Sequence, residues 1–111
     1  MNPVLAQHLR ETLPVPLSDD EVGEILTVFM EEFKSCSDEL RALHDGTDFL
    51  SIRRITHAIK GFAANVGARD LYDLALSLNA AAHAADAPLC AERIRDILQL
   101  YSAYRAGDTA P

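Results

Sequence analysis

The run Ile52-Arg53-Arg54-Ile55-Thr56-His57-Ala58-Ile59-Lys60-Gly61-Phe62-Ala63-Ala64-Asn65-Val66-Gly67-Ala68 decides how the chain is read. At about 100° per residue, Ile52, Ile55, Ile59, Phe62 and Val66 fall on one side of a helical wheel, the spacing of a core-facing stripe. His57 falls near the middle of the opposite side. Arg53, Arg54, Lys60, Gly61 and Ala64 lie one turn away from it or two. Glycine inside a helix costs roughly 1 kcal/mol relative to alanine. Gly61 therefore implies that another molecule approaches the backbone beside His57. Charge points the same way. No Asp or Glu lies between Asp48 and Asp70, an interval that holds Arg53, Arg54, Lys60 and Arg69. Taking those 4 from the 10 basic residues leaves 6 against 17 acidic ones, a net of −11 for the rest of the chain. A positive island in an acidic protein implies that an anion is handled there.

His57-Ala58-Ile59-Lys60-Gly61, followed by Ala64-Asn65, Gly67-Ala68 and Leu71, resembles the signature of the histidine-containing phosphotransfer (HPt) domain family. That signature is H-x-x-K-G, a small residue three positions on, then Asn-x-Gly-Ala and a leucine. The chain departs from it at Phe62 and Ala63, where the family often has small polar residues. Phe62 lies on the core stripe and reads as packing. The motif covers about fifteen residues, and the helix layout around it fits nearly the whole chain.

At 111 residues the chain is long enough for a single core. The expected organisation is one bundle domain over 1–111, with a short helix at about 3–12, the bundle at about 18–106 and a frayed tail at 107–111. Apolar content of 49% and charged content of 24% describe an ordinary soluble globular protein. A net charge of −7 argues against nucleic acid as a partner. No apolar run reaches the ~18 residues of a membrane span, and the start lacks the pattern of a signal peptide. Cytoplasmic localisation is expected, with Cys36 and Cys90 as two buried free thiols.

Asn2-Pro3 reads as a cap and a first helical position. Pro14 and Pro16 break the chain, and Ser18-Asp19-Asp20-Glu21 is a capping box. Val22, Ile25, Leu26, Phe29, Phe33, Cys36, Leu40 and Leu43 then form a long stripe, closed by His44 and Gly46. Thr47 or Asp48 caps the His57 helix, and Gly67 ends it. Leu71, Leu74, Ala75, Leu78, Ala82 and Ala85 mark the next helix. Asp86 or Ala87, followed by Pro88, opens the last one, with a stripe of Leu89 or Cys90, Ile94, Ile97, Leu98, Tyr101 and Tyr104. No segment alternates with period two. The expected fold is all-α, an antiparallel up-down-up-down four-helix bundle with a short additional N-terminal helix.

The resemblance implies a phosphorelay intermediate of two-component signal transduction. His57 would accept a phosphoryl group from the aspartyl phosphate of one receiver domain and pass it to another. It also implies Nε2 as the attacking atom; the residues themselves do not choose the nitrogen. A neutral imidazole is a nucleophile at about pH 7, and nearby cations stabilise phosphoryl oxygens. Lys60, one turn along, is the expected phosphate neighbour. Arg53 and Arg54 serve the phosphate, steer an acidic partner or solubilise the helix. Gly61 and Ala64 leave room for docking. Asn65 either reaches the site or helps to end the helix. His8, His44 and His83 lack metal-ligand spacing. No P-loop or carboxylate cluster accompanies His57, so no cofactor is expected in this chain and Mg2+ is expected on the receiver. The expected partners are receiver domains of response regulators and hybrid histidine kinases, with no nucleic acid, no membrane and a monomeric chain. Two other readings are the phosphoacceptor and dimerisation helix of a histidine kinase, and an HPt-like binding module without phosphotransfer. In the first, an acidic residue normally follows the histidine, with a proline later. Here Ala58 follows, and no proline comes before Pro88. The second would call for a lost histidine or lysine, and both are present.

Overall fold

Side-chain caps set where the helices begin. The computed structural model describes residues 2–107, and among these every regular element is an α-helix. Helix α1 spans Pro3–Thr12, and Asn2 Oδ1 accepts from the Val4 and Leu5 amides at 3.0 and 3.2 Å. Helix α2, Asp19–Ala42, opens on a reciprocal capping box. The Glu21 amide donates to Ser18 Oγ at 3.1 Å, and the Ser18 amide donates to Glu21 Oε1 at 3.0 Å. Such a box satisfies two otherwise orphaned amides. Asp48 caps helix α3, Phe49–Val66, and Asp86 caps helix α5, Ala87–Arg105. Helix α4, Arg69–His83, starts at Ala68 without a side-chain cap.

Each of α2 to α4 packs on the helix that follows it, and α5 returns to α2, closing a ring; α1 lies against α2 and α3. Inside the ring sits an aromatic cluster. Phe33 meets Tyr101 edge-on at 5.0 Å between centroids, and Phe29 meets Phe62 at 5.7 Å, joining α2 to α5 and α3. Edge-to-face contact at these distances adds to the burial of the rings. Phe62 is thus part of the core, as its place on the stripe requires. Ile52, Ile55, Ile59 and Val66 are buried with it, so α3 has one sealed face and one free face.

Two glycines hold the ends of the functional helix's surroundings. Gly67 ends α3 with φ 71°, and a Cβ there would overlap Thr12 Oγ1 of α1. Gly46, φ 75°, lies where a Cβ would stand 2.5 Å from the Ala87 carbonyl oxygen. Both positions combine a left-handed backbone with a close neighbour, which only glycine accommodates.

Some expected positions move. α2 ends at Ala42 with Leu43 as its cap, so His44 and Gly46 lie beyond it in the turn. Ala85 leaves the α4 stripe: it is exposed, past the helix end, at φ 55°. Ala81 is buried in α4 where Leu74 is only partly so, and Leu100 is buried in α5 where Leu98 is only partly so. Helices at the ring's corners bury two flanks, which a single stripe does not describe. The expected fraying falls largely on 108–111, outside the described residues.

Candidate functional site

The free face of α3 carries the residues singled out from the sequence. Asp48 Oδ1 accepts from the Ser51 amide at 3.2 Å, fixing where the helix starts. From that start, Arg53, Arg54, His57, Gly61, Ala64 and Asn65 are all exposed, and Lys60 is partly buried. The His57 ring has neither a hydrogen-bond partner nor an ion pair among the described residues. Its nitrogens are open to an incoming group.

Ion pairing divides the cations unevenly: four outside this face are paired, while Arg95 and Arg105, also outside it, form no ion pair among the described residues. Arg10 pairs with Asp19 at 2.5 Å, Lys34 with Asp38 at 3.1 Å, Arg41 with Asp38 at 3.0 Å and Arg93 with Asp96 at 2.8 Å. Among the described residues, Arg53, Lys60 and Arg69 form no ion pair. Arg54 acts on Asp48, whose carboxyl is held below its ordinary range first by the hydrogen bonds from Ser51 and then by that charge. Unneutralised cations on one helix face create a local positive potential, which attracts and stabilises an anion. That is the arrangement a developing phosphoryl charge requires.

Space beside His57 is open as well. A Cβ built at Gly61 meets nothing within 4 Å. Gly61 has helical neighbours on both sides and a negative φ, so neither a turn nor internal packing accounts for it. It is a helix-weakening residue facing solvent, one turn from the imidazole.

A family model described as the Hpt domain matches residues 24–107. The chain belongs to the Hpt domain family. It is also similar to "Phosphorelay protein LuxU" of Vibrio harveyi, 32% identical over 81 residues, which covers 73% of this chain and 71% of that protein. No solved structure matches. The Hpt match starts within α2, so α1 stands outside the family region and is packed onto it.

Three features of this Hpt chain escaped the sequence reading. Thr56, next to His57, is fully buried, and its hydroxyl lies 3.0 Å from Asn79 Oδ1 on α4. Leu50 is 77% exposed, seven residues before His57 and therefore close to its azimuth. Its apolar character on the solvent side of the wheel was the available signal. The third is a groove of about 310 Å³ between α2 and α3, where Ile25 and Val28 face Phe62 and Asn65. Asn65 thus stands on the α2 flank of the Hpt face, beyond Gly61. Among the described residues, no three His, Cys, Asp or Glu side chains are grouped to hold a metal ion. Both cysteines are free and buried, Cys36 with its thiol pushed up to about 11 by burial and by Glu39 and Glu32.

Proposed function

We propose that this Hpt chain is a phosphorelay intermediate with His57 as its phosphoacceptor. The observation that carries the reading is an unpartnered, exposed imidazole on a helix face whose cations are left unpaired, in a chain of this family. An imidazole nitrogen lone pair attacks the phosphorus of a receiver's aspartyl phosphate. The N–P bond forms as the P–O bond to the aspartate breaks, and the carboxylate leaves with that electron pair. Transfer onward reverses the step on a second receiver. The receiver contributes the Mg2+ that its own phosphate chemistry needs.

Lys60 takes the place nearest the phosphoryl oxygens, and its partly buried stem limits where its ammonium can reach. Arg53 and Arg54 draw the anionic centre of the receiver toward α3. Gly61, Ala64 and Asn65 let the receiver's loops come down beside the ring. The support beneath them is an antiparallel up-down-up-down bundle with α1 at one end, a reading favoured by the closed ring of neighbouring helices. The chain acts as a carrier without its own nucleotide site. We take it to work as a cytoplasmic monomer; among the described residues no helix is long and apolar enough to cross a membrane.

The test is incubation of the chain with phosphorylated receiver domains, scoring which transfer label. Label that reaches the wild type and not His57→Gln, acid-labile and base-stable as a phosphoramidate is, supports the assignment. Equal labelling of a folded His57→Gln chain moves the site to another residue.

A further inference from the structure

The His57 face and its α2 flank differ in charge. On α2, Asp20, Glu24, Val28 and Glu32 follow at four-residue spacing and so stand in one row along the helix. Among the described residues, none of the three carboxylates forms an ion pair. Asp20 sits in the first turn, where the helix dipole favours it. Glu24 and Glu32 lie deeper and have no such reason. Like charges at this spacing repel and weaken a helix. Between them stands Val28, 53% exposed. Its row forms the outer wall of the α2–α3 groove, with Ile25, Phe62 and Asn65 inside it. An apolar hollow edged by unneutralised acids stabilises neither the helix nor the bundle.

We infer that this groove is the seat of a specific contact from the receiver that exchanges phosphate with His57: a large apolar side chain flanked by Lys or Arg. The inference rests on the reading of the chain as a phosphorelay intermediate. Distance permits it. His57 and Asn65 are about 12 Å apart along the helix at 1.5 Å per residue. A protein interface of ordinary size covers about 800 Å² on each partner, a patch roughly 16 Å in radius. One receiver therefore spans both the imidazole and the groove. Charge complementarity then commits the occupant. The receiver's phosphorylated aspartate is anionic and belongs over the positive α3 face. The part of its surface that crosses α2 meets Glu24 and Glu32 and must be cationic. A receiver turned the other way would set acid on acid and base on base, so the two-signed face fixes orientation as well as choice of partner.

The experiment measures phosphotransfer from a phosphorylated receiver that labels wild-type His57, as a function of salt, for wild type, Glu24→Gln/Glu32→Gln and Val28→Gln. Removing the two charges raises KM by about fivefold or more at low salt and flattens its salt dependence, while the saturating transfer rate is retained. Val28→Gln raises KM with the salt dependence intact. Labelling by phosphoramidate, a small donor that needs no docking, is unchanged in both variants, and the melting temperature of the double variant is held or raised. Wild-type KM and salt dependence in the double variant overturn the inference while leaving the phosphorelay reading in place. A lowered KM also overturns it, since the partner is then acidic at this site. Wild-type dimers that Val28→Gln dissociates assign the groove to a second copy instead. Failure of every receiver to label wild type overturns the phosphorelay reading and this inference together.

Discussion

Thr56 and Asn79 meet across the α3–α4 interface, Oγ1 to Oδ1 at 3.0 Å, one residue before His57 in the chain. The same hydroxyl lies 2.9 Å from the Arg53 carbonyl, the oxygen that the His57 amide also reaches in regular helix geometry. Thr56 is fully buried, so its polar atom depends on these partners. Thr56→Val keeps the shape and removes the hydroxyl, leaving the Asn79 amide oxygen short of a donor. The expected destabilisation is about 1–2 kcal/mol, read as a lower urea midpoint at unchanged slope. Adding Asn79→Ala costs less than in the wild-type background, because the two side chains form one interaction. Additive losses would show that the contact carries no energy.

Lys60→Ala separates chemistry from solubility. Alanine is the better helix former, so helicity by circular dichroism is retained. Loss of a charge-assisted contact to the phosphoryl group is expected to cost about 1–3 kcal/mol. It is read as slower transfer from a receiver or a shorter phosphohistidine lifetime. Lys60→Arg retains part of that lifetime. Wild-type rates in Lys60→Ala would leave Lys60 as a solvated lysine.

Alkali tests the buried thiol. Burial raises the Cys36 thiol from 9.0 to about 11, with Glu39 and Glu32 adding repulsion. A group whose proton is held more tightly in the fold stabilises the fold fully below its unfolded value. That stabilisation disappears as pH rises through the folded value. Stability is therefore expected to fall between about pH 9 and pH 11 as the unfolded chain releases the proton first. Tyr104, pushed up to about 12 by burial, extends the loss to higher pH. Cys36→Ala should flatten the lower part of the profile, measured by urea unfolding at successive pH values. At pH 8 the native thiol should resist alkylation and react once urea unfolds the chain. Rapid native labelling would place the thiol in solvent.

Much of α3 was legible because its signals are local. The Ile52, Ile55, Ile59, Phe62 and Val66 stripe needs only the helical period. Asp48 and Gly67 act on amides and carbonyls within a few residues of themselves. The outward position of His57 follows from the same wheel. What the sequence hid depends on residues far apart in the chain. Thr56 is buried because α4 brings Asn79 to it. The groove exists because α2 lays Ile25 and Val28 beside Phe62 and Asn65. Ile97, Leu98, Leu100, Tyr101 and Tyr104 offer more apolar positions than one stripe holds. Only contact with both α4 and α2 chooses Leu100 for burial over Leu98. Ala85 was misplaced because alanine favours continuing a helix, whereas the turn into α5 demands a left-handed residue there.

The small residues beside the imidazole distinguish docking from chemistry. Gly61 has open space where a side chain would stand, and Ala64 is exposed on the same face. In a solvated helix, Gly61→Gln should raise stability by up to about 0.5 kcal/mol, since glutamine is much the better helix former. Ala64→Gln should change it by no more than about 0.5 kcal/mol in the other direction. At a docking surface the same side chains fill volume that the receiver needs in order to bring its aspartate within bonding distance of His57. Both variants are therefore expected to keep a melting temperature close to wild type or above it. Receiver-dependent transfer should slow at least tenfold, a loss of about 1.4 kcal/mol. Phosphoramidate should still label His57 in both. A sharp fall in melting temperature would mean that this side of α3 is packed rather than open. Normal folding with normal transfer would mean that the receiver approaches His57 from elsewhere and that glycine and alanine at these positions are incidental.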